Sequence, residues 1–309
     1  MKRFGLYISS ILLIILVIFY LLDFTYTSTY THGMPRNKIT HLLSIEEQPI
    51  DYIFIGSSRV ENTIDAEVIE EITGKKALNL GIQEVRLNDS FMLLQLLEKQ
   101  SIKAEMVFIQ VDYIYNKDKS SGYLKGSLMP FIKDDHIASM LKTRDSSYYY
   151  LKNIPFYRYL KYDYKSGFRE VFNILIENEP YINLKNGYYP LYGQSDAGFN
   201  RTLPDTISKH NKYIEAINNF AEERNIKIVY FVSPFCSNTQ NLEYVQKLKG
   251  RIPELLDYSS LFLDQDNLFY DCDHLNDQGA KEFSEVFAEK INSISTDVAP
   301  KAKLISNVQ

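Results

Sequence analysis

Apolar positions in this chain fall into two regimes. From Phe4 to Leu22 no residue is charged, and most are Ile, Leu, Val, Phe or Tyr. A helix rises ~1.5 Å per residue, so crossing a ~30 Å hydrocarbon core takes roughly 20 such residues. The run therefore predicts one membrane-spanning helix, with residues 1–23 as cytoplasmic tip and anchor. Lys2 and Arg3 precede it and Asp23 follows. That bias leaves the N-terminus in the cytoplasm and residues 24–309 outside. The alternative is a cleaved signal sequence. Against it, the run exceeds the usual ~7–15 residues of such a segment, and no Ala-x-Ala-like site follows.

After a polar stretch, 24–48, that reads as a short stalk, the pattern changes to short apolar runs alternating with amphipathic segments. Ile50 to Ile55 is strand-like and ends at Gly56-Ser57-Ser58. Asp65 can cap a helix through about Thr73, which Gly74 can end. Lys76 to Ile82 predicts a second strand, 89–99 a helix, and Glu105 to Val111 a third strand. This alternation implies a parallel sheet covered on both faces, a flavodoxin-like three-layer α/β/α domain over 49–292.

Over 113–204 the alternation stops. Those residues hold more than half of the chain's 24 tyrosines, including Tyr148-Tyr149-Tyr150. A structureless loop of that length is improbable in a compact domain, so the segment reads as an inserted, mostly helical cap. The pattern resumes with a helix over 209–224, a strand from Ile226 to Val232, a helix over 241–248 and a weaker strand near Leu261 to Leu263. Asp277 is expected to cap a last helix running to about Ile291. Residues 293–309 read as a disordered tail.

Composition adds little to this pattern: 45% hydrophobic and 24% charged residues are ordinary for a folded chain. The net charge of −5 argues against a nucleic-acid partner. Two cysteines, Cys236 and Cys272, could pair in an oxidising compartment, which spacing alone does not decide.

Chemistry concentrates in two places. The first predicted strand ends at Gly56-Ser57-Ser58-Arg59, where ligands bind in open parallel sheets. Near the C-terminus stands Asp271-Cys272-Asp273-His274. A carboxylate three residues before a histidine can orient the imidazole through one ring nitrogen, leaving the other to take a proton from a serine. Capping of the following helix and a metal site from Asp271, Asp273 and His274 are the alternatives. No further His/Asp pair completes a metal shell, so neither metal nor other cofactor is expected.

A strand-end serine early in the chain and Asp-x-x-His before the last helix together resemble the SGNH (GDSL-like) hydrolase superfamily. The likeness spans most of 50–292 and rests on Ile53-Phe54-Ile55-Gly56-Ser57-Ser58, Asn79-Leu80-Gly81 and Asp271-Cys272-Asp273-His274. It implies Ser58 as nucleophile, His274 as general base and Asp271 as its orienter. Ser57 replaces the usual Asp, a change tolerated by membrane-bound relatives in cell-wall and exopolysaccharide acylation. Donors to the oxyanion would be the backbone at Ser58 and Gly81. The third block departs from the pattern: Gln110-Val111-Asp112-Tyr113 stands where Gly-x-Asn-Asp is expected. Asn79 or Gln83 could serve instead, or the site could be inactive.

Arg59, Asn62, Arg86 and Tyr188 are candidates to hold a glycan, with solvated loop or cap-core positions as their alternatives. In the resembling fold Cys236 and Cys272 fall at the same sheet edge, where a disulfide could brace the catalytic loop, and the sequence leaves two free thiols as the alternative. The function so implied is a membrane-anchored O-acyltransferase or esterase acting on an envelope glycan, most simply through O-acetyl groups. For a transferase, the resemblance implies a multi-pass membrane acyltransferase partner that delivers the acyl group. The competing expectation is a non-catalytic glycan-binding or scaffolding subunit.

Overall fold

The computed structural model describes residues 2–45, 49–195 and 200–298. The first helix, α1 (Lys2–His32), contains the apolar run and is long and apolar enough to cross a membrane, with none of its apolar window buried by the rest of the chain. A short α2 (Lys38–Ser44) follows, capped by the Asn37 side chain. Then come β1 (Tyr52–Gly56), α3 (Ser58–Glu61), α4 (Ala66–Thr73), β2 (Ala77–Gly81), α5 (Leu87–Lys99) and β3 (Met106–Gln110). Asp65 caps α4, and Gly74 ends it at φ 68°, as their residue types predict.

Between β3 and the next long helix lie α6 (Gly122–Leu128), α7 (Asp135–Lys142), α8 (Tyr148–Asn153), α9 (Tyr157–Lys161), α10 (Asp163–Ser166), α11 (Phe168–Leu175) and the two-residue β4 (Arg201–Thr202). The chain continues through α12 (Lys212–Arg224), β5 (Lys227–Val232), β6 (Thr239–Gln240), α13 (Glu243–Lys249) and β7 (Leu256–Asp257). The antiparallel pair β8 (Phe269–Asp271) and β9 (His274–Leu275) leads into α14 (Asp277–Val298).

The main sheet is parallel, in the order β2-β1-β3-β5-β7. Successive side chains on a strand face opposite ways, and here both faces are apolar. Ile53, Ile55, Val107, Ile109, Tyr230 and Val232 join one core, against α5 and α12. Tyr52, Phe54, Met106, Phe108 and Phe231 join the other, against Ile69 of α4 and Phe283, Phe287 and Ile291 of α14. Phe54 stacks on Phe108 at 4.9 Å, and Phe287 meets Phe108 at 5.3 Å. The architecture is therefore the expected three-layer α/β/α.

Three expectations at element ends change. Residues 24–32 continue α1 instead of opening a stalk, and they pack. Tyr26 and Tyr30 join Phe156, Tyr159, Val171 and Ile174 in a third buried cluster, which Phe19 and Leu22 also touch. Hydrogen-bonding Thr and Tyr side chains gave this stretch its polar look. The last sheet strand is Leu256–Asp257 rather than the region of Leu261 to Leu263, where Leu261 is exposed and only Phe262 is buried. The cap of α14 is Asn276, whose Oδ1 accepts from Gly279 N at 2.9 Å, and the helix reaches Val298. The rest of the expected tail, 299–309, lies outside the described residues.

The contact between α1 and the inserted helices turns on a buried ion pair. Asp23, 5% exposed, accepts from Arg158 Nη2 and from Phe156 N, each at 2.8 Å, and its Oδ2 lies 2.8 Å from Arg158 Nη1 in the ion pair. Arg158 also donates to Thr27 Oγ1, at 2.8 Å. Removing one partner of such a pair strands the other charge and costs ~3–5 kcal/mol. Asp23→Ala and Arg158→Ala should each lower the thermal midpoint of the full chain in detergent. The double variant should lose clearly less than the sum, because the two share one interaction. Additive losses would separate the residues.

Candidate active site

β1 runs fully buried to Gly56, and the chain then turns straight into α3. Ser57 is the N-cap: its Oγ accepts from Arg59 N at 3.3 Å. Ser58 is the first helical residue, half-buried at the carboxyl end of the sheet. Its N–H is one of the orphan donors of a helix start and, among the described residues, takes no protein acceptor.

Across the crevice, β8 and β9 form a tight hairpin carrying Asp271 and His274. Ser58 Oγ lies 2.7 Å from His274 Nε2. His274 Nδ1 lies 2.8 and 3.0 Å from the two Asp271 oxygens. Asp271 Oδ1 also accepts the backbone N–H groups of Asp273 and His274, at 2.8 and 2.9 Å. Partial burial pushes the Asp271 carboxyl up, but these bonds from His274 and the backbone outweigh it and hold it below the usual carboxylate range. The chain hydroxyl–imidazole–carboxylate is thus complete in geometry. The Asp–His bond places the proton on Nδ1 and leaves Nε2 able to accept from Ser58.

The Cys236–Cys272 disulfide is formed and buried, and joins the loop after β5 to this hairpin. No free cysteine remains among the described residues.

The expected oxyanion donors need correction. Gly81 N–H is taken by Asn79 Oδ1 at 2.8 Å. Asn79, wholly buried, spends its amide on the carbonyls of Val60 and Ile64, at 2.8 and 2.7 Å. Both residues bracket α3 onto β2. A Cβ at position 81 would stand 2.2 Å from Glu61 N, so close approach is what requires glycine there. Beneath them lies the fully buried Lys38, which donates to Gly81 O and pairs with Glu61 at 3.5 Å. Burial pushes its ammonium down to about 8, with Glu61 pulling the other way. Beyond β2, the N–H groups of Gln83 and Glu84 are without protein acceptors among the described residues, and both side chains are exposed. That turn adjoins β1, since Ile82 N donates to Gly56 O at 2.9 Å.

Arg59 is a structural bracket as well, not an exposed substrate contact. It is wholly buried. Its Nε lies 2.9 Å from Asp112 Oδ2, an ion pair whose N–H is not aligned for a hydrogen bond. Nη1 donates to Asp273 O at 2.6 Å, and Nη2 to Ser233 O and Pro234 O at 2.8 and 3.0 Å. Phe235 lies flat beneath it at 3.8 Å. Burial pushes the Asp112 carboxyl up while Arg59 pulls it down, for a net rise.

Asn62 is buried too and donates to Tyr189 O at 2.8 Å, tying down the end of the insertion. Gly187 of that segment, at φ 77°, passes so close to Asn79 O that a Cβ would stand 2.0 Å away. Tyr188 packs partly buried against the α14-side core. Arg86 lies at the start of α5, half-buried, with Nη1 donating to Lys119 O at 3.1 Å.

Two groups near the hairpin escaped the sequence reading. Gln110, read above only as a departure, accepts from Ser57 N and Ser57 Oγ at 2.9 Å each, so it fixes the turn that presents Ser58. Its wholly buried position at a strand end was the available signal. Arg201 pairs with Asp273 Oδ2 at 2.9 Å, and its guanidinium lies over the Tyr113 ring at 4.1 Å. Lys117 approaches the same ring at 4.8 Å. No local pattern marked that cluster. A cleft of about 580 Å³ lies beside the Gln83 turn, lined there by Glu61, Ile82 and Gln83, while Ser58, Asp271 and His274 do not line it. Tyr123, Lys165 and Arg169 line its other side.

Arg59→Met should lower the denaturant midpoint by the equivalent of about 3–5 kcal/mol, since it leaves the buried Asp112 carboxylate without its charge partner and three carbonyls without a donor. Unchanged stability would return Arg59 to the role of a surface contact. Asp271 adds a pH signature. Its folded pKa is depressed, so its contribution to stability is present above the unfolded value of roughly 3.9. That contribution is lost as pH falls through the folded value. Asp271→Asn should therefore flatten the acid limb of the stability profile below roughly pH 4, read by thermal melts across pH. An unaltered limb would contradict the assignment.

No family model matches the chain, and no curated protein matches it. Among solved structures, it is similar to a candidate lipolytic protein of the G-D-S-L family from Desulfitobacterium hafniense DCB-2. The likeness covers 77% of this chain and 98% of that one, at 14% identity and a TM-score of 0.27.

Proposed function

We propose that the chain is a membrane-anchored, serine-dependent esterase or O-acyltransferase of SGNH type, acting outside the cytoplasm on an envelope or exported glycan. The observation that carries this is the continuous Ser58–His274–Asp271 relay, with both linking contacts at hydrogen-bonding distance. Ser58 Oγ attacks the ester carbonyl as His274 Nε2 takes its proton. The tetrahedral oxyanion then collapses, the C–O bond to the departing alcohol breaks, and His274 returns the proton to that alcohol. A water molecule or a glycan hydroxyl, deprotonated by His274, next attacks the acyl-serine and releases Ser58. Asp271 holds the imidazole tautomer and balances the imidazolium.

The free N–H of Ser58 and the exposed turn at Gln83–Glu84 are the donors available to the oxyanion, since Gly81 and Asn79 are engaged. The adjacent cleft, with its tyrosines and cations, suits a polyhydroxylated ligand. Lys2 and Arg3 before the apolar run support an orientation with the domain outside, and the packing of Asp23, Tyr26 and Tyr30 against the insertion supports an anchor that is kept. In the transferase case a multi-pass membrane partner delivers the acyl group.

A second reading is a non-catalytic glycan-binding subunit on the same fold. The engagement of Gly81 N–H and the Asn79 amide favours it, because losing one oxyanion donor typically costs ~10²–10³ in rate. Treating the full chain in detergent with a fluorophosphonate probe separates the two. Labelling that is lost in Ser58→Ala and falls at least ~10³-fold in rate in His274→Ala is expected for the enzyme. No labelling of the native chain, with glycan acylation unchanged in cells carrying Ser58→Ala, would leave the binding subunit.

A further inference from the structure

The short helix α11 has three faces. Val171 and Ile174 are buried against Tyr26 and Tyr30 of α1, and Arg169, Glu170 and Asn173 line the 580 Å³ cleft. The remaining face carries Phe168, Phe172 and Leu175, continued by Ile176 just beyond the helix, at 67%, 49%, 64% and 55% exposed. At 100° per residue these four fall in one stripe about 100° wide. Phe168 and Phe172 stack with each other at 6.2 Å and, among the described residues, with no other ring. On the neighbouring helices α8 and α9, Tyr149, Tyr150, Ile154 and Leu160 are exposed as well. Single exposed apolar residues are ordinary; a group this dense in one short insertion marks an interaction surface.

Its position says what covers it. Phe156, two residues after Ile154, meets Phe19 of α1 at 6.1 Å. Phe19 belongs to the apolar run and stands three residues from its end, ~4.5 Å along the axis. The α8–α9 end of the insertion therefore touches α1 at the depth where acyl chains give way to headgroups, and α11 packs on Tyr26 and Tyr30, ~6–12 Å farther along the axis, within side-chain reach of the headgroup layer. The Asp23–Arg158 pair locks it there. Interfacial helices lie at that level with an apolar face sunk ~5–10 Å, and Tyr is enriched there.

We infer that the α8–α11 part of the insertion lies on the bilayer, with Phe168, Phe172, Leu175 and Ile176 embedded in its interface. This rests on α1 being an uncleaved membrane span. The occupant of the exposed face is lipid, continuous with the lipid around α1. The domain is then held against the membrane at two places, by the span and by this apron.

The chain contains no tryptophan, so each single replacement creates a unique fluorophore. The full chain would be reconstituted in nanodiscs of phosphatidylcholine, with or without brominated acyl chains, as Phe172→Trp, Leu175→Trp, Leu13→Trp and Tyr192→Trp. Blue-shifted emission of the two α11 variants, quenched by the brominated lipid as Leu13→Trp is, is the expected result, with Tyr192→Trp water-like and unquenched. Quenching at Leu13→Trp with none at either α11 position would overturn the inference while leaving the anchor intact. Absence of quenching at Leu13→Trp would overturn the anchor and the apron together. Blue shift at α11 that is unquenched in discs holding one chain, or that tracks protein concentration, would replace lipid with a protein contact and overturn it as well.

Discussion

The site depends above all on the charge of Arg59. A guanidinium with no exposure to water is tolerated only when its hydrogens and charge find partners, and here they come from separate strand-end segments. Asp112 follows β3, Ser233 and Pro234 follow β5, and Asp273 sits between β8 and β9. Arg59 itself follows Ser58. One side chain thus sets the distance between the loop that presents the hydroxyl and the hairpin that presents the imidazole. Gln110 and the Cys236–Cys272 disulfide act in the same sense, fixing Ser57 from below and the hairpin from the side. Pre-set geometry of this kind is what lets a weak nucleophile and a base work as a unit.

A second buried arginine does comparable work at the other end. Arg158 binds Asp23, and Thr27 bridges Arg158 and Tyr159, with Oγ1 lying 2.8 Å from the Tyr159 hydroxyl. Helix α1 is therefore a continuous rod from its apolar run into the body of the insertion. A flexible stalk would let the domain sample many orientations; a packed one fixes its orientation relative to α1.

The sheet was legible because its strands are apolar on both faces and punctuated by turn residues. Asp65 and Gly74 marked a helix for local reasons that tertiary contacts did not override. Asp271 and His274 could be named because an Asp-x-x-His spacing constrains geometry locally, whereas Ser58 was singled out from Ser57 by the resemblance to the SGNH pattern. What escaped was whatever depended on burial from a distance. Arg59 and Asn62 look like loop residues until the carbonyls around them are counted. Gly81 and Asn79 fit a donor pattern, yet α3 packs so closely on β2 that both are consumed in holding it. Residues 24–32 looked like a polar linker because Thr and Tyr hide their contacts in hydrogen bonds and rings.

These misreadings share a consequence for the chemistry. If Asn79 and Gly81 hold α3, charge on a reacting oxygen must be met by Ser58 N–H and by the exposed turn at Gln83 and Glu84. That turn also borders the cleft whose opposite wall is the polar face of α11. With the apolar face of α11 on the bilayer, that wall would lie one helix diameter, ~10 Å, from lipid. On the proposed function, a glycan still attached to a membrane carrier would then reach the cleft without leaving the surface.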